Sequence, residues 1–190
     1  MNTIQMKVPH GIDSETQNHL RSQLSPVEHR IVQDLYQIAV DAFMLKQTSD
    51  TYWTGNIKKA LESHSKQLDL LCCHSDHIGE WLFDVSWLET SAPADKTENW
   101  KEAKRLVMAC ESEWGENEDK ILWDFLKLSW SNAELRVFIY TNHMKHGAVD
   151  HPTDLCRRFC PPSKGARFIL IGFPKRPENG ETFRVDSWKT

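Results

Sequence analysis

Residues 106–115 read LVMACESEWG. The apolar run from Leu106 to Cys110 is typical of a β-strand that is buried on both faces inside a sheet. It leads directly into Glu111, Ser112 and Glu113. Because strand side chains alternate, Glu111 and Glu113 are expected on the same face, with Cα atoms about 6.6 Å apart. The sequence therefore predicts an interior strand that ends in two carboxylates.

A second strand is predicted upstream, at residues 81–88. Trp81, Phe83, Val85 and Trp87 alternate there with Leu82, Asp84, Ser86 and Leu88, and this period of two with aromatic and branched residues indicates a strand. Asp84 is thus expected inside an otherwise apolar strand. If the two strands pair, Asp84, Glu111 and Glu113 converge at one end of the sheet. Buried carboxylates need compensation, and a divalent cation such as Mg²⁺ would provide it.

The other residues predict helices and further strands around this pair. Ser25 and Pro26 are typical of a helix start. The predicted elements are a helix from Pro26 to about Leu45, a break at residues 48–56, a helix over about residues 57–71, a polar connection at 90–104, a helix at 117–131, a strand at 135–140, a short helix at 152–160, and strands at 166–173 and 182–188. This order favours a single α/β (mixed α+β) domain over residues 1–190, with a central mixed sheet flanked by helices. Residues 1–23 are polar and are expected to be peripheral.

The acidic residues in this setting resemble the PD-(D/E)XK nuclease family. Its pattern is an Asp on one strand, then an acidic residue, a spacer and a Lys on the next strand, followed by a helix. Asp84 and Glu111 match the acidic positions, and the resemblance covers about residues 57–140. It implies a restriction-endonuclease-like core in which Asp84 and Glu111 bind Mg²⁺ or Mn²⁺.

Glu113 stands where that family's pattern has its Lys. Some members carry Glu at this position, and others place the Lys on the following helix. Lys127 lies in that helix, so Glu113 and Lys127 are both candidate catalytic residues. Trp123 and Trp130 neighbour Lys127 on the helical wheel and are expected to hold its stem against the sheet.

Simpler interpretations of these residues stay open. Asp84 is also compatible with a hydrogen bond to a neighbouring backbone N–H or with a pair to a buried Arg. Glu111 and Glu113 are also compatible with a strand end that emerges into solvent. Lys127 is also compatible with a solvated helix face on which it pairs with Asp124.

The resemblance implies a metal-dependent endonuclease, a hydrolase acting on nucleic acid, with DNA as the expected partner. The alternative is a fold of this kind that has lost catalysis and serves as a binding or regulatory module. A third option is a zinc site, for which the candidate ligands are His143, His146, His151, Cys156 and Cys160, with Cys72 and Cys73 as possible additions.

Composition and charge limit the partners and the cellular compartment that are expected for the protein. The 190 residues carry a formal net charge of -4, which is unlike a non-specific nucleic-acid binder. A local basic patch remains possible, formed by Arg157, Arg158, Lys164, Arg167, Lys175 and Arg176. The longest apolar run, residues 168–173, is far shorter than the roughly 18 residues that span a bilayer, so no membrane partner is expected. Five cysteines without a secretory leader indicate reduced thiols in a cytoplasmic protein. A homodimer is compatible with these features.

Overall fold

The computed structural model describes residues 2–76, 79, 82–91, 102–115, 117–142, 151–160, 165–175 and 181–190. These residues form seven strands and five helices, which are, in chain order, β1 (Asn2–Lys7), α1 (Ser14–Gln23), α2 (Pro26–Met44), α3 (Asp50–Gln67), β2 (Leu71–Cys73), β3 (Val85–Thr90), β4 (Ala103–Glu113), α4 (Glu118–Ser129), β5 (Leu135–Thr141), α5 (Pro152–Phe159), β6 (Arg167–Phe173) and β7 (Thr182–Lys189).

All the described strands belong to one sheet with the order β1-β7-β6-β5-β4-β3-β2. Strands β2, β3 and β4 form an antiparallel meander, whereas β4, β5 and β6 run parallel to one another. Strand β7 pairs antiparallel with β6 on one side and with β1 on the other. Parallel neighbours need long crossovers, and α4 and α5 lie in the two crossover connections. The prediction of a mixed sheet flanked by helices is confirmed.

The helices cover the two faces of the sheet with separate apolar layers. Helices α1, α2 and α3 bury residues such as Leu35 and Trp53 against one face, with Trp87 of β3. Helices α4 and α5 bury residues such as Phe125 against the other face, with Phe138 of β5. Strand β4 lies between β3 and β5 in the middle of this sandwich, so the polar residues at its end emerge beside the start of α4.

The predicted start of α2 is confirmed in detail. The Ser25 hydroxyl accepts a hydrogen bond from the Glu28 backbone N–H at 3.3 Å, and the Glu28 carboxylate accepts one from the Ser25 N–H at 2.7 Å. This reciprocal capping box satisfies N–H groups that a helix otherwise leaves unpaired. Pro26 occupies the first turn, where its missing N–H is no loss.

Two predictions about the amino-terminal half are wrong. Helix α3 begins at Asp50, because Ser49 caps it by accepting a hydrogen bond from the Tyr52 N–H; the expected break therefore covers little more than this cap. The same helix ends at Gln67, and Leu71 belongs to β2 instead. Residues 2–23 contain β1 and α1. Strand β1 is held by β7, a pairing between the two ends of the chain that no local pattern reveals.

None of the described helices combines the length and the apolar character that a membrane-spanning segment needs.

Candidate functional site

Strand β4 places Glu111 and Glu113 on the sheet face that α4 covers. Glu111 is the neighbour of Phe138 on β5, and Glu113 is the neighbour of Tyr140; both aromatic residues belong to the apolar layer under α4 and α5. The shared face of the two carboxylates was predicted. Glu111 is only 3% exposed, so the expectation of a solvent-exposed strand end does not apply to it. A carboxylate at this depth needs a partner.

Lys127 of α4 is that partner. The apolar side of α4, with Ile121, Phe125 and Leu128, is buried against the sheet, which turns Lys127 toward the end of β4. Its Nζ lies 2.6 Å from Oε1 of Glu111. The same amine is 5.9 Å from the centre of the Phe83 ring. Lys127 therefore forms its direct ion pair with the strand, and not with Asp124 on a solvated helix face.

Asp84 lies immediately before β3, so the prediction that it belongs to the strand is wrong. Strand β3 begins at Val85, which pairs with Cys110; Trp81, the start of the predicted strand, is outside the described residues. The Asp84 Oδ2 accepts hydrogen bonds from the Ser112 backbone N–H at 2.8 Å and from the Ser112 hydroxyl at 2.7 Å. The Asp84 carboxylate thus accepts a hydrogen bond from a backbone N–H of β4 beyond the end of its pairing with β3. This agrees with the simpler interpretation, in which Asp84 binds a neighbouring backbone N–H.

The Glu113 side chain forms a hydrogen bond within the turn that follows β4. Its Oε1 accepts a hydrogen bond from the Gly115 N–H, and its carboxyl group is in hydrogen-bonding contact with Asp124 of α4. A Cβ on residue 115 would lie 2.6 Å from that oxygen, so any larger residue there would displace the Glu113 carboxylate. Glu113 faces Asp124, whereas Glu111 faces Lys127.

Burial dominates the electrostatics of the cluster. It raises the pKa of Glu111 to about 8; the Lys127 amine opposes this rise, and the Asp84 carboxylate adds to it. Burial also raises the pKa of Asp124, which Lys127 lowers and the Glu113 carboxylate raises further. For Lys127, burial lowers the pKa but the contact with Glu111 outweighs it, so the net direction is upward. Perturbed acids of this kind are concentrated at functional sites.

The donor set suits a hard divalent cation in its chemistry. Asp84 and Glu111 contribute carboxylate oxygens from neighbouring segments, and the Asp84 carboxylate raises the pKa of Glu111. Mg²⁺ needs one or two carboxylates, with waters and substrate phosphate as its other ligands. Within the described residues, no group of three or more His, Cys, Asp or Glu is arranged to hold a metal. The cluster therefore offers carboxylates of the kind that bind Mg²⁺, but no complete protein cage for it in the part of the chain that the structure describes.

The prediction that Trp123 and Trp130 hold the Lys127 side chain against the sheet is wrong. Each is 72% exposed, and neither holds the Lys127 stem against the sheet. The wheel places them beside Lys127 correctly, but Ile121, Phe125 and Leu128 already form the buried side of α4. The Lys127 amine instead lies 5.9 Å from the centre of the Phe83 ring.

The zinc hypothesis receives no support from the described residues. His143 and His146 lie outside them. Both ring nitrogens of His151 are occupied, Nε2 by the Asn142 side chain at 2.9 Å and Nδ1 by the Thr153 N–H at 3.3 Å. Cys156 is fully buried in the apolar layer under α5, where a thiol packs as a small apolar group.

The predicted basic patch is only partly available for a ligand. Arg167 forms an ion pair with Glu28 at 2.9 Å and donates to the Gln23 carbonyl at 2.6 Å, so it stabilises the start of α2. Arg157 lies 3.8 Å from Asp154. Lys175 donates to the Trp114 carbonyl at 3.5 Å. Lys164 and Arg176 lie outside the described residues.

Two residues of the cluster were not anticipated as participants. Ser112 was treated only as a spacer, although a hydroxyl between two acids was a signal for a hydrogen-bonding role. Asp124 was assigned only to a surface pair, but its position three residues before Lys127 placed it on the same side of the helix.

Comparisons of this chain with known protein families, with curated proteins and with solved structures gave no significant match.

Proposed function

We propose that the protein is a metal-dependent nuclease of the PD-(D/E)XK kind that hydrolyses phosphodiester bonds, with DNA as the expected substrate. The observation that carries the proposal is the 2.6 Å contact between Lys127 and Glu111. A Lys on the helix after the acidic strand, with its amine at the first acid of that strand, is the variant arrangement expected for this family. The order α3, β2, β3, β4, α4 and β5 around the cluster also supports the proposal.

Each residue has a role that follows from its position. Asp84 and Glu111 would hold the cation with one carboxylate from each of two adjacent segments. A bound Mg²⁺ would polarise the scissile phosphate and make a water molecule more acidic. Lys127 stabilises negative charge that develops on the phosphate. Glu113 and Asp124, whose carboxyl groups are in contact, provide a place where a proton is held beside the attacking water.

An inactive binding module is the second candidate. Two observations favour it: Lys127 neutralises Glu111 directly, and the pKa of Glu111 is raised to about 8. Both reduce the negative charge available to a cation. Under either function the five cysteines, all of them free thiols, agree with a cytoplasmic protein.

Cleavage assays decide between the two candidates. Plasmid, linear duplex and single-stranded DNA are incubated with wild type, Glu111→Gln and Lys127→Ala in the presence of Mg²⁺ or Mn²⁺. The nuclease predicts cleavage by wild type that both substitutions abolish. Full cleavage by Lys127→Ala would contradict the role of this amine. Absence of cleavage by wild type with every substrate and either metal would favour the binding module.

A further inference from the structure

The outer face of α4 alternates cations and tryptophans along one stripe. Lys120, Trp123, Lys127 and the carboxyl-terminal cap Trp130 all lie on the exposed side. Their spacing of three, four and three residues keeps them on one side of the helix. Each tryptophan is 72% exposed. Two tryptophans that turn away from an available apolar layer indicate a surface that binds a partner.

The stripe borders a cavity at each end. At the amino end, Lys120 shares a polar cavity of about 450 Å³ with Ser112, Glu113 and Lys175. The Lys120 side chain makes no ion pair or hydrogen bond with the residues that the structure describes. At the carboxyl end, Trp130 shares a cavity of about 500 Å³ with Phe83, the ring over which Lys127 lies. The stripe is therefore continuous with the acidic cluster.

We propose that this stripe is a binding track for single-stranded nucleic acid, in which the phosphates contact Lys120 and Lys127 and unpaired bases stack on Trp123 and Trp130. Proteins that bind single strands combine cations along the backbone with aromatic platforms for the bases. Residues seven positions apart on a helix are about 10.5 Å apart along its axis, so the two tryptophans hold different bases. A base pair inside a duplex offers no free face for such stacking.

The inference rests on the proposed function and names its substrate class: a single-stranded or locally unpaired polynucleotide. The charge of the stripe favours a polynucleotide as its partner and disfavours a second copy of the chain. A face that alternates two lysines with two tryptophans complements a polyanion with aromatic bases, whereas an identical face would bring the same lysines against each other. Self-association through the tryptophans remains an outcome that the experiment distinguishes.

The test measures binding in EDTA, so that it does not depend on catalysis. A fluorescein-labelled single-stranded DNA oligonucleotide and the blunt duplex of the same sequence are titrated with wild type, Trp123→Ala, Trp130→Ala and the double variant. Met44→Ala with Leu45→Ala is the matched control, because Met44 and Leu45 are 66% and 62% exposed at the carboxyl end of α2, a helix that packs on the other face of the sheet from α4. Thermal unfolding and sedimentation velocity check folding and oligomeric state.

We expect the single strand to bind more tightly than the duplex, and each tryptophan substitution to weaken single-strand binding roughly tenfold. Trp→Phe replacements should restore most of the affinity, since a smaller ring still stacks. Lys120→Ala should reduce the salt dependence of log K by about one. Equal binding of single strand and duplex, or unchanged binding by the double tryptophan variant, would overturn the track. A wild-type dimer that the double variant dissociates, without effect on DNA binding, would also overturn it and assign the stripe to self-association.

The experiments distinguish failure of the proposed nuclease function from failure of the proposed binding track. Tryptophan-dependent binding of single strands by a protein that never cleaves would keep the track and reject the nuclease. Cleavage of duplex that the tryptophan substitutions leave unchanged would keep the nuclease and reject the track.

Discussion

The amine of Lys127 lies 2.6 Å from a carboxylate oxygen of Glu111, although the two residues belong to different layers of the molecule. Glu111 comes from the centre of the sheet and is almost completely buried, whereas the Lys127 side chain is 40% exposed at the rim of α4. The pair therefore connects the interior of the sheet with the surface on which a substrate would lie. Substitutions of Lys127 and of Glu111 are therefore expected to change stability in different ways.

Replacement of Lys127 by Met should abolish cleavage and also lower stability. The buried Glu111 would lose its counter-charge, and because Lys127 is partly exposed we expect a modest loss of about 1–2 kcal/mol. Urea denaturation at pH 9, above the raised pKa of Glu111 of about 8, measures it. At pH 5 the loss should shrink, since Glu111 is then protonated. Lys59→Met, at an exposed position on α3, is the control; an equal effect of that substitution would contradict the role of the ion pair.

The raised pKa of Glu111 predicts a specific pH dependence of stability. Below its ordinary pKa of 4.5 the group is protonated in both states, and above about 8 it is ionised in both. Between these values the folded state binds the additional proton, so the free energy of unfolding falls as the pH rises. Glu111→Gln should remove this slope. The measurement is the wild-type minus variant difference in unfolding free energy from pH 4 to pH 9, and a difference that does not vary with pH would refute the shift.

Metal binding should release a proton near neutral pH. The cation requires ionised Glu111, whose pKa of about 8 leaves much of it protonated at pH 7. Affinity for Mn²⁺ should therefore increase with pH until about pH 8 and then level off. Calorimetric titrations in two buffers of different protonation enthalpy measure the released proton. Equal Mn²⁺ binding by wild type and Asp84→Asn would remove Asp84 from the site.

Asp84 should stabilise the fold independently of any metal. Its carboxylate accepts two hydrogen bonds from Ser112, and hydrogen bonds to a charged group contribute about 1.5–3 kcal/mol. Asp84→Asn should weaken both bonds, whereas Ser112→Ala removes only the hydroxyl and should have the smaller effect. Urea denaturation in EDTA compares the three proteins. A larger loss in Ser112→Ala than in Asp84→Asn would contradict this assignment.

Two glycines should respond in opposite directions to alanine. A Cβ at Gly172 on β6 would lie 2.9 Å from the Tyr140 hydroxyl oxygen and 3.0 Å from the ring carbon that bears it, so overpacking should destabilise the protein by about 1–3 kcal/mol. Gly55 is in the interior of α3 with open space around it. Alanine there should stabilise by up to about 1 kcal/mol. Thermal unfolding tests both, and equal signs would be inconsistent with the packing around Tyr140.

The carboxyl-terminal half of the fold could be predicted because its elements have strong local patterns. The apolar run that precedes Glu111 and the apolar spacing of Ile121, Phe125 and Leu128 determine β4 and α4 from nearby residues alone. Strand β1 and helix α1 are polar and depend on distant partners, so no local pattern predicts them. Leu71 was assigned to a helix because a short apolar segment does not distinguish helix from strand.

The candidate site was predictable in its membership but not in its contacts. Alternation along β4 brings Glu111 and Glu113 to one face, but it does not show that Glu111 pairs with Lys127 while Glu113 faces Asp124. Asp84 was wrongly assigned to the strand because the sequence alternation begins at residue 81, upstream of Val85, where β3 starts. The exposure of Trp123 was missed since helical spacing places a side chain on a face without showing whether that face has a neighbour.

The pairing of β1 with β7 has a consequence for biosynthesis. Strand β1 leaves the ribosome before the other described strands, but the only one of them that it pairs with is β7, which follows all the others in the chain. Until then β1 has unpaired N–H and C=O groups, which favour pairing with other chains. Contacts between such distant segments form slowly. The nascent chain should therefore depend on a chaperone until β7 emerges, and ribosome-stalled chains that lack β7 should aggregate more than released full-length chains.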